Sequence, residues 1–128
     1  MSERTCAEIQ RTEREHDDPV GGLWNGAVEA ALRHYRAFLR QPGHYLDLCF
    51  EVSPHPESSL VNVANARDLL EEALRVLPLP ARAELGRLVS SLDAEFRRRT
   101  LPDPHAYRRF WRGSGWWHQR LYDGEFRW

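Results

Sequence analysis

Two apolar stripes of helical period meet across a three-residue break, Pro78-Leu79-Pro80. Before it, Ala66, Leu69, Leu70, Ala73, Leu74 and Leu77 recur at the three- and four-residue spacing of one helix face. After it, Leu85, Leu88, Val89, Leu92 and Phe96 do the same. A break this short makes two amphipathic helices fold back on each other as an αα-hairpin. The expected helices run from about Asn65 to Leu77, with a start near Ser59 also admissible, and from about Pro80 to Arg99. Asn65 suits an N-cap with Asp68 in the first turn, and Pro80 suits the first turn of the second helix.

A third stripe, Trp24, Val28, Ala31, Tyr35, Phe38 and Leu39, predicts a helix from about Leu23 to Gln41, ended by Pro42-Gly43. Composition agrees: Leu, Ala, Arg and Glu make up 58 of 128 residues, whereas Val, Ile and Thr make up 11. The strand signal is YLDLCFEV, residues 45–52, where apolar residues alternate, with LVNV at 60–63 as a returning strand or as the first turn of the next helix. At 128 residues one core is expected. The expectation is a mainly α fold, a small bundle of three to four helices, with a short β-hairpin admitted at about 45–63. Residues 1–19 are nearly all polar, so they read as a flexible arm or a loosely docked helix ahead of one helical domain, 20–128.

All 18 basic residues are Arg. Without Lys there is no P-loop phosphate ligand, no Schiff-base amine and no kinase strand Lys, so those three chemistries are excluded. GC-rich coding accounts for the bias. Cys6 and Cys49 form no C-x-x-C pair, and the six His residues make neither H-x-x-x-H nor H-E-x-x-H. No cofactor and no metal are expected. No apolar run approaches the roughly 18 residues that span a bilayer, and there is no signal-peptide h-region. A cytoplasmic protein with no membrane partner is therefore expected.

Charge and rings are unevenly distributed. Residues 97–128 carry a net charge of +5 and 8 of the 14 aromatic side chains. Rings of this kind can complete a core, with the Arg side chains lying over them. Of these rings, Tyr107, Trp111 and Trp117 are the expected inward set. That leaves Trp116, Phe126 and Trp128, flanked by Arg112, Arg120 and Arg127, as the candidate contact surface in the segment 105–128. Trp and Arg dominate protein interface hot spots, so another protein is the first expected partner. Arg among aromatics also grips RNA or DNA strands, the second expectation. The Arg97-Arg98-Arg99 run reads as a solvated helix end, with Asp93 paired to Arg97 and Glu95 to Arg98 or Arg99. Asp68, Glu71 and Glu72 read as surface ion-pair partners.

One spacing bears on catalysis. Arg112 and His118 are separated by five residues ahead of an expected last helix, WWHQRLY, with Ser114 as its cap. This is similar to the Arg-to-His spacing of small helical HEPN-type ribonucleases. The resemblance rests on two residues, and Gly113-Ser114-Gly115 departs from a smooth helical motif. It implies an Arg that holds the scissile phosphate and a His that moves a proton.

Overall fold

α3 (Val63–Val76) and α4 (Leu79–Arg98) are separated by Leu77 and Pro78 alone, as the paired stripes require. The structure is a computed structural model that describes residues 1–16, 23–40, 63–102 and 115–121. Ahead of the hairpin stand α1 (Glu3–Glu15) and α2 (Ala27–Leu39). Among the described residues the chain is thus a mainly α bundle of four helices. A two-residue antiparallel ladder, β1 (Leu101–Pro102) with β2 (Arg120–Leu121), pairs Leu101 with Leu121. The hairpin expected at 45–63 lies outside the described residues up to 62, and Val63 is helical.

The core joins all four helices. α2 packs on both α3 and α4, and α1 packs on α4. Phe96 on α4 meets Tyr35 edge-on at 6.0 Å and Phe38 at 6.3 Å between ring centroids, in the geometry aromatic pairs prefer. Leu70, Leu77, Leu85 and Val89 are fully buried in this core. Leu74, Leu88 and Leu92, expected inside, are only partly buried at its edge.

Two readings meet the structure here. The polar N-terminal segment, read as a flexible arm or a loosely docked helix, forms a 13-residue helix, Glu3–Glu15, with buried Thr5, Ile9, Thr12 and Glu13. It offers few apolar contacts, and polar ones dock it instead. Glu84 of α4 accepts hydrogen bonds from the Ser2 backbone N–H, the Ser2 hydroxyl and the Thr5 hydroxyl. At the other end, the buried Glu13 carboxylate accepts the N–H groups of Gly26 (3.1 Å) and Val28 (2.8 Å), so it caps α2 from a different helix. Gly26 sits at φ +85°, a conformation side chains resist, which suits a glycine there. The second is Asn65, read as the N-cap, which is corrected: it lies inside α3.

Candidate interaction surface

Among the described residues the C-terminal strip meets the body at a 3-10 turn, Trp116–His118, where a longer helix was expected, and at the β1–β2 ladder. The Trp117 indole folds back over Gly115 so closely that a methyl group there would overlap the ring. Trp117 is buried, as expected; its Nε1 donates to Asp68 Oδ1 at 2.7 Å, and the Arg67 guanidinium lies 4.2 Å from its ring centroid. Trp116, expected to be exposed, is only partly so. It meets Phe96 edge-on at 5.6 Å and is covered by Arg97, whose guanidinium carbon is 4.0 Å from its ring centroid. Arg97 itself is exposed.

Arg120, a predicted contact residue, is a clamp. Its Nε donates to the Thr100 hydroxyl at 2.8 Å, and a terminal nitrogen donates to the carbonyls of Arg97 (2.9 Å) and Thr100 (3.0 Å). These carbonyls lie at the end of α4, where the helix leaves acceptors unsatisfied. Arg112, Phe126, Arg127 and Trp128 lie outside the described residues.

The Arg run is corrected too. Asp93 is buried and turns away from Arg97. It accepts Arg67 through both carboxylate oxygens, at 2.9 and 3.0 Å, and the Tyr35 hydroxyl at 2.7 Å. Burial alone would lower the Arg67 pKa, but the hydrogen bonds and charges of Asp93 and Glu71 outweigh it and hold it above its ordinary value. Arg99 is buried rather than solvated, and donates to the Leu39 carbonyl at the end of α2. Arg98 pairs with Glu95 at 2.6 Å, as expected.

The His118 Nε2 lies 2.8 and 2.9 Å from the two Asp68 oxygens, which pins the ring to α3. An Asp-held imidazole can orient and pass a proton, yet Arg112, its expected companion, is outside the described residues. No group of three His, Cys, Asp or Glu among the described residues is arranged to hold a metal ion. Cys6 is a free thiol. No described helix is long and apolar enough to cross a membrane.

A second surface feature was not anticipated from sequence. A cleft of about 660 Å³ lies between α1 and α2, which touch where Glu13 caps α2. Ile9, Val28 and Leu32 line it but are themselves almost fully buried. Arg14 stands on the α1 side, and Arg33, Arg36 and Arg40 on the α2 side. The spacing of the three α2 arginines, three then four residues, was visible in the sequence. The opposing α1 wall was not, because residues 1–19 read as a flexible arm or a loosely docked helix with no partner assigned. Asp68, Arg97 and Thr100 were missed as supports of the strip for a similar reason: each looks like an ordinary surface residue until the 3-10 turn docks on it.

No family model matches this chain, and neither does any curated protein or solved structure.

Proposed function

We propose that this protein is a small cytoplasmic interaction module without catalysis of its own, contacting another protein through its C-terminal Arg/aromatic strip. The observation that supports this reading is the Arg97–Trp116 pair. An exposed guanidinium lies on a partly exposed indole that is braced from below by Phe96. A rigid aromatic with an Arg across its face is the residue chemistry of interface hot spots, and holding it in place beforehand lowers the ordering cost of binding. By sequence the strip also includes Arg112, Phe126, Arg127 and Trp128.

The test is affinity capture from the native host, with bound protein and nucleic acid both identified. It compares the full chain, an Arg97→Ala/Trp116→Ala variant and a chain cut after residue 123. A protein partner retained by the full chain, resistant to added salt and lost from both altered chains supports the proposal. Capture of RNA or DNA that falls steeply with salt replaces it with the nucleic-acid reading. If the cut chain unfolds, the tail belongs to the core, and the proposal loses its support.

A further inference from the structure

We propose that the partner meets the Arg97–Trp116 pair with an acidic segment, placing an Asp or Glu carboxylate on Arg97 and an apolar side chain on Leu101. The inference rests on the reading of the C-terminal strip as a protein contact, and it names the chemistry that recognises that strip.

Arg97 is a cation whose local acids are taken. Asp93 stands four residues before it on α4, the spacing of a helical ion pair. Both oxygens of that carboxylate go to Arg67, and one also accepts the Tyr35 hydroxyl. Glu95 is held by Arg98 through Nε at 3.1 Å and a terminal nitrogen at 2.6 Å. Among the described residues the Arg97 guanidinium has neither a hydrogen bond nor an ion pair, and its contact is the Trp116 ring.

The end of a helix favours a cation, so charge alone calls for no partner. What the helix end does not supply is a fixed position. Its late carbonyls are satisfied by other groups: Arg120 donates to those of Arg97 and Thr100, and the Thr100 hydroxyl donates to that of Phe96. Arg97 lies instead over an indole that meets Phe96 and Trp117 edge-on, at 5.6 and 5.8 Å between ring centroids. A cation–π contact engages the charge but offers no acceptor to the N–H groups. The fork is therefore held in place with its donors open, the arrangement that suits a carboxylate arriving from outside.

An apolar contact stands at the same end of α4. Leu101 in β1 is 40% exposed, and Pro102 beside it is exposed too. The other exposed large apolar side chains among the described residues, Met1 and Leu79, stand at the start of the chain and at the start of α4. A carboxylate in a protein segment suits this pairing better than a phosphate in a nucleic acid strand. Strands are gripped by ring faces that stack on bases, whereas Arg97 covers a face of the half-buried Trp116 and Leu101 has no ring to offer.

The test pans a phage-displayed library of random linear peptides against the folded full chain. Enriched peptides are then synthesised, and their binding is measured by fluorescence anisotropy. An Asp or Glu next to a large apolar residue is expected in the enriched set. Affinity should fall about tenfold or more in Arg97→Gln, fall less in Arg97→Lys, which keeps the charge without the fork, and stay unchanged in Arg75→Gln, an equal charge change on α3. Exchanging the peptide's acid for its amide should cost as much on the natural chain and little on Arg97→Gln. The amide exchange on the natural chain needs no variant protein, so it decides the matter even if Arg97→Gln fails to fold, which circular dichroism and melting check. Enriched peptides without acidic bias, lost in Trp116→Ala, would overturn this inference and leave the protein-contact reading standing. No enrichment, or acidic peptides indifferent to Arg97, also overturns it. Binding of single-stranded RNA lost in Arg97→Gln, with no acidic peptide enriched, overturns both and assigns the strip to nucleic acid.

Discussion

Arg side chains do work in this fold that Lys would do poorly. Arg82 donates to the Leu77 carbonyl at 2.9 Å, Arg99 reaches the Leu39 carbonyl, and Arg120 reaches those of Arg97 and Thr100. Each satisfies acceptors at or just beyond a helix end with a planar fork that spans two partners or reaches a buried one. Arg67 shows the same geometry inside, holding Asp93 by two parallel bonds while Tyr35 takes a third. Asp93→Ala should therefore destabilise the chain by about 3–5 kcal/mol, because it leaves a buried guanidinium without its main partner. Arg67→Met/Asp93→Leu should cost clearly less than the two single changes summed. Urea unfolding of the three variants checks both statements, and additive losses would mean that the pair is not coupled. Glu84 gives a pH prediction at the same scale. Hydrogen bonds from the Thr5 hydroxyl and the Ser2 backbone hold its pKa below the usual carboxylate value. A lowered folded pKa means that its contribution is present above the unfolded pKa and is lost as pH falls through the folded one. The melting temperatures of the natural chain and of Glu84→Gln should thus differ at neutral pH and converge in acid. A gap that stays constant down to acid pH would contradict the assignment.

Helices were the most legible level, and their limits show where periodicity stops being informative. The stripes on α2, α3 and α4 were readable because each buries one apolar face, and Pro78 marked the hairpin. α1 was left open by the pattern, as a flexible arm or a loosely docked helix. Its main anchors are Thr5 and Glu13, polar residues whose partners lie 79 positions away at Glu84 and 13 and 15 positions away at Gly26 and Val28. No local pattern encodes such pairs. Gly113-Ser114-Gly115 stood out in the sequence, yet the reason for Gly115, the ring of Trp117 lying against it, is tertiary. Of the candidate site, Trp117 is buried and Trp116, expected to be exposed, is half-buried, whereas Arg120 became a clamp because the 3-10 turn carries it over the end of α4. The α4 stripe also blurred at its edge. Leu85 is fully buried and Leu88 is not, so Leu85→Ala should cost about 2–5 kcal/mol, with Leu88→Ala well below it. Equal losses in urea titrations would show that α4 buries a wider face than its contacts indicate.

Across the whole molecule, helix ends are tied to distant parts of the chain, and this sets how it should come apart. Glu84 on α4 holds the start of α1, and Glu13 on α1 holds the start of α2. Arg99 just beyond α4 holds the end of α2, and Arg120 after the 3-10 turn holds the end of α4. The ring contacts follow the same route, from Tyr35 and Phe38 through Phe96 to Trp116 and Trp117. Releasing any one tie exposes unsatisfied backbone groups on a neighbouring helix, so no helix can detach without cost to the next. Unfolding should then be a single cooperative transition. Helix content by circular dichroism and indole environment by fluorescence should report the same urea midpoint, because Trp116 and Trp117 are packed into this chain of contacts. The demanding version of the test uses Glu13→Ala, which removes the cap from α2 and touches neither Trp116 nor Trp117. Its loss of about 1–3 kcal/mol should lower both midpoints by the same amount. A variant in which the helical signal falls first while the fluorescence transition stays in place would show that α1 and α2 melt apart from the α3–α4 hairpin. The bundle would then be two loosely joined halves, not one interlocked fold.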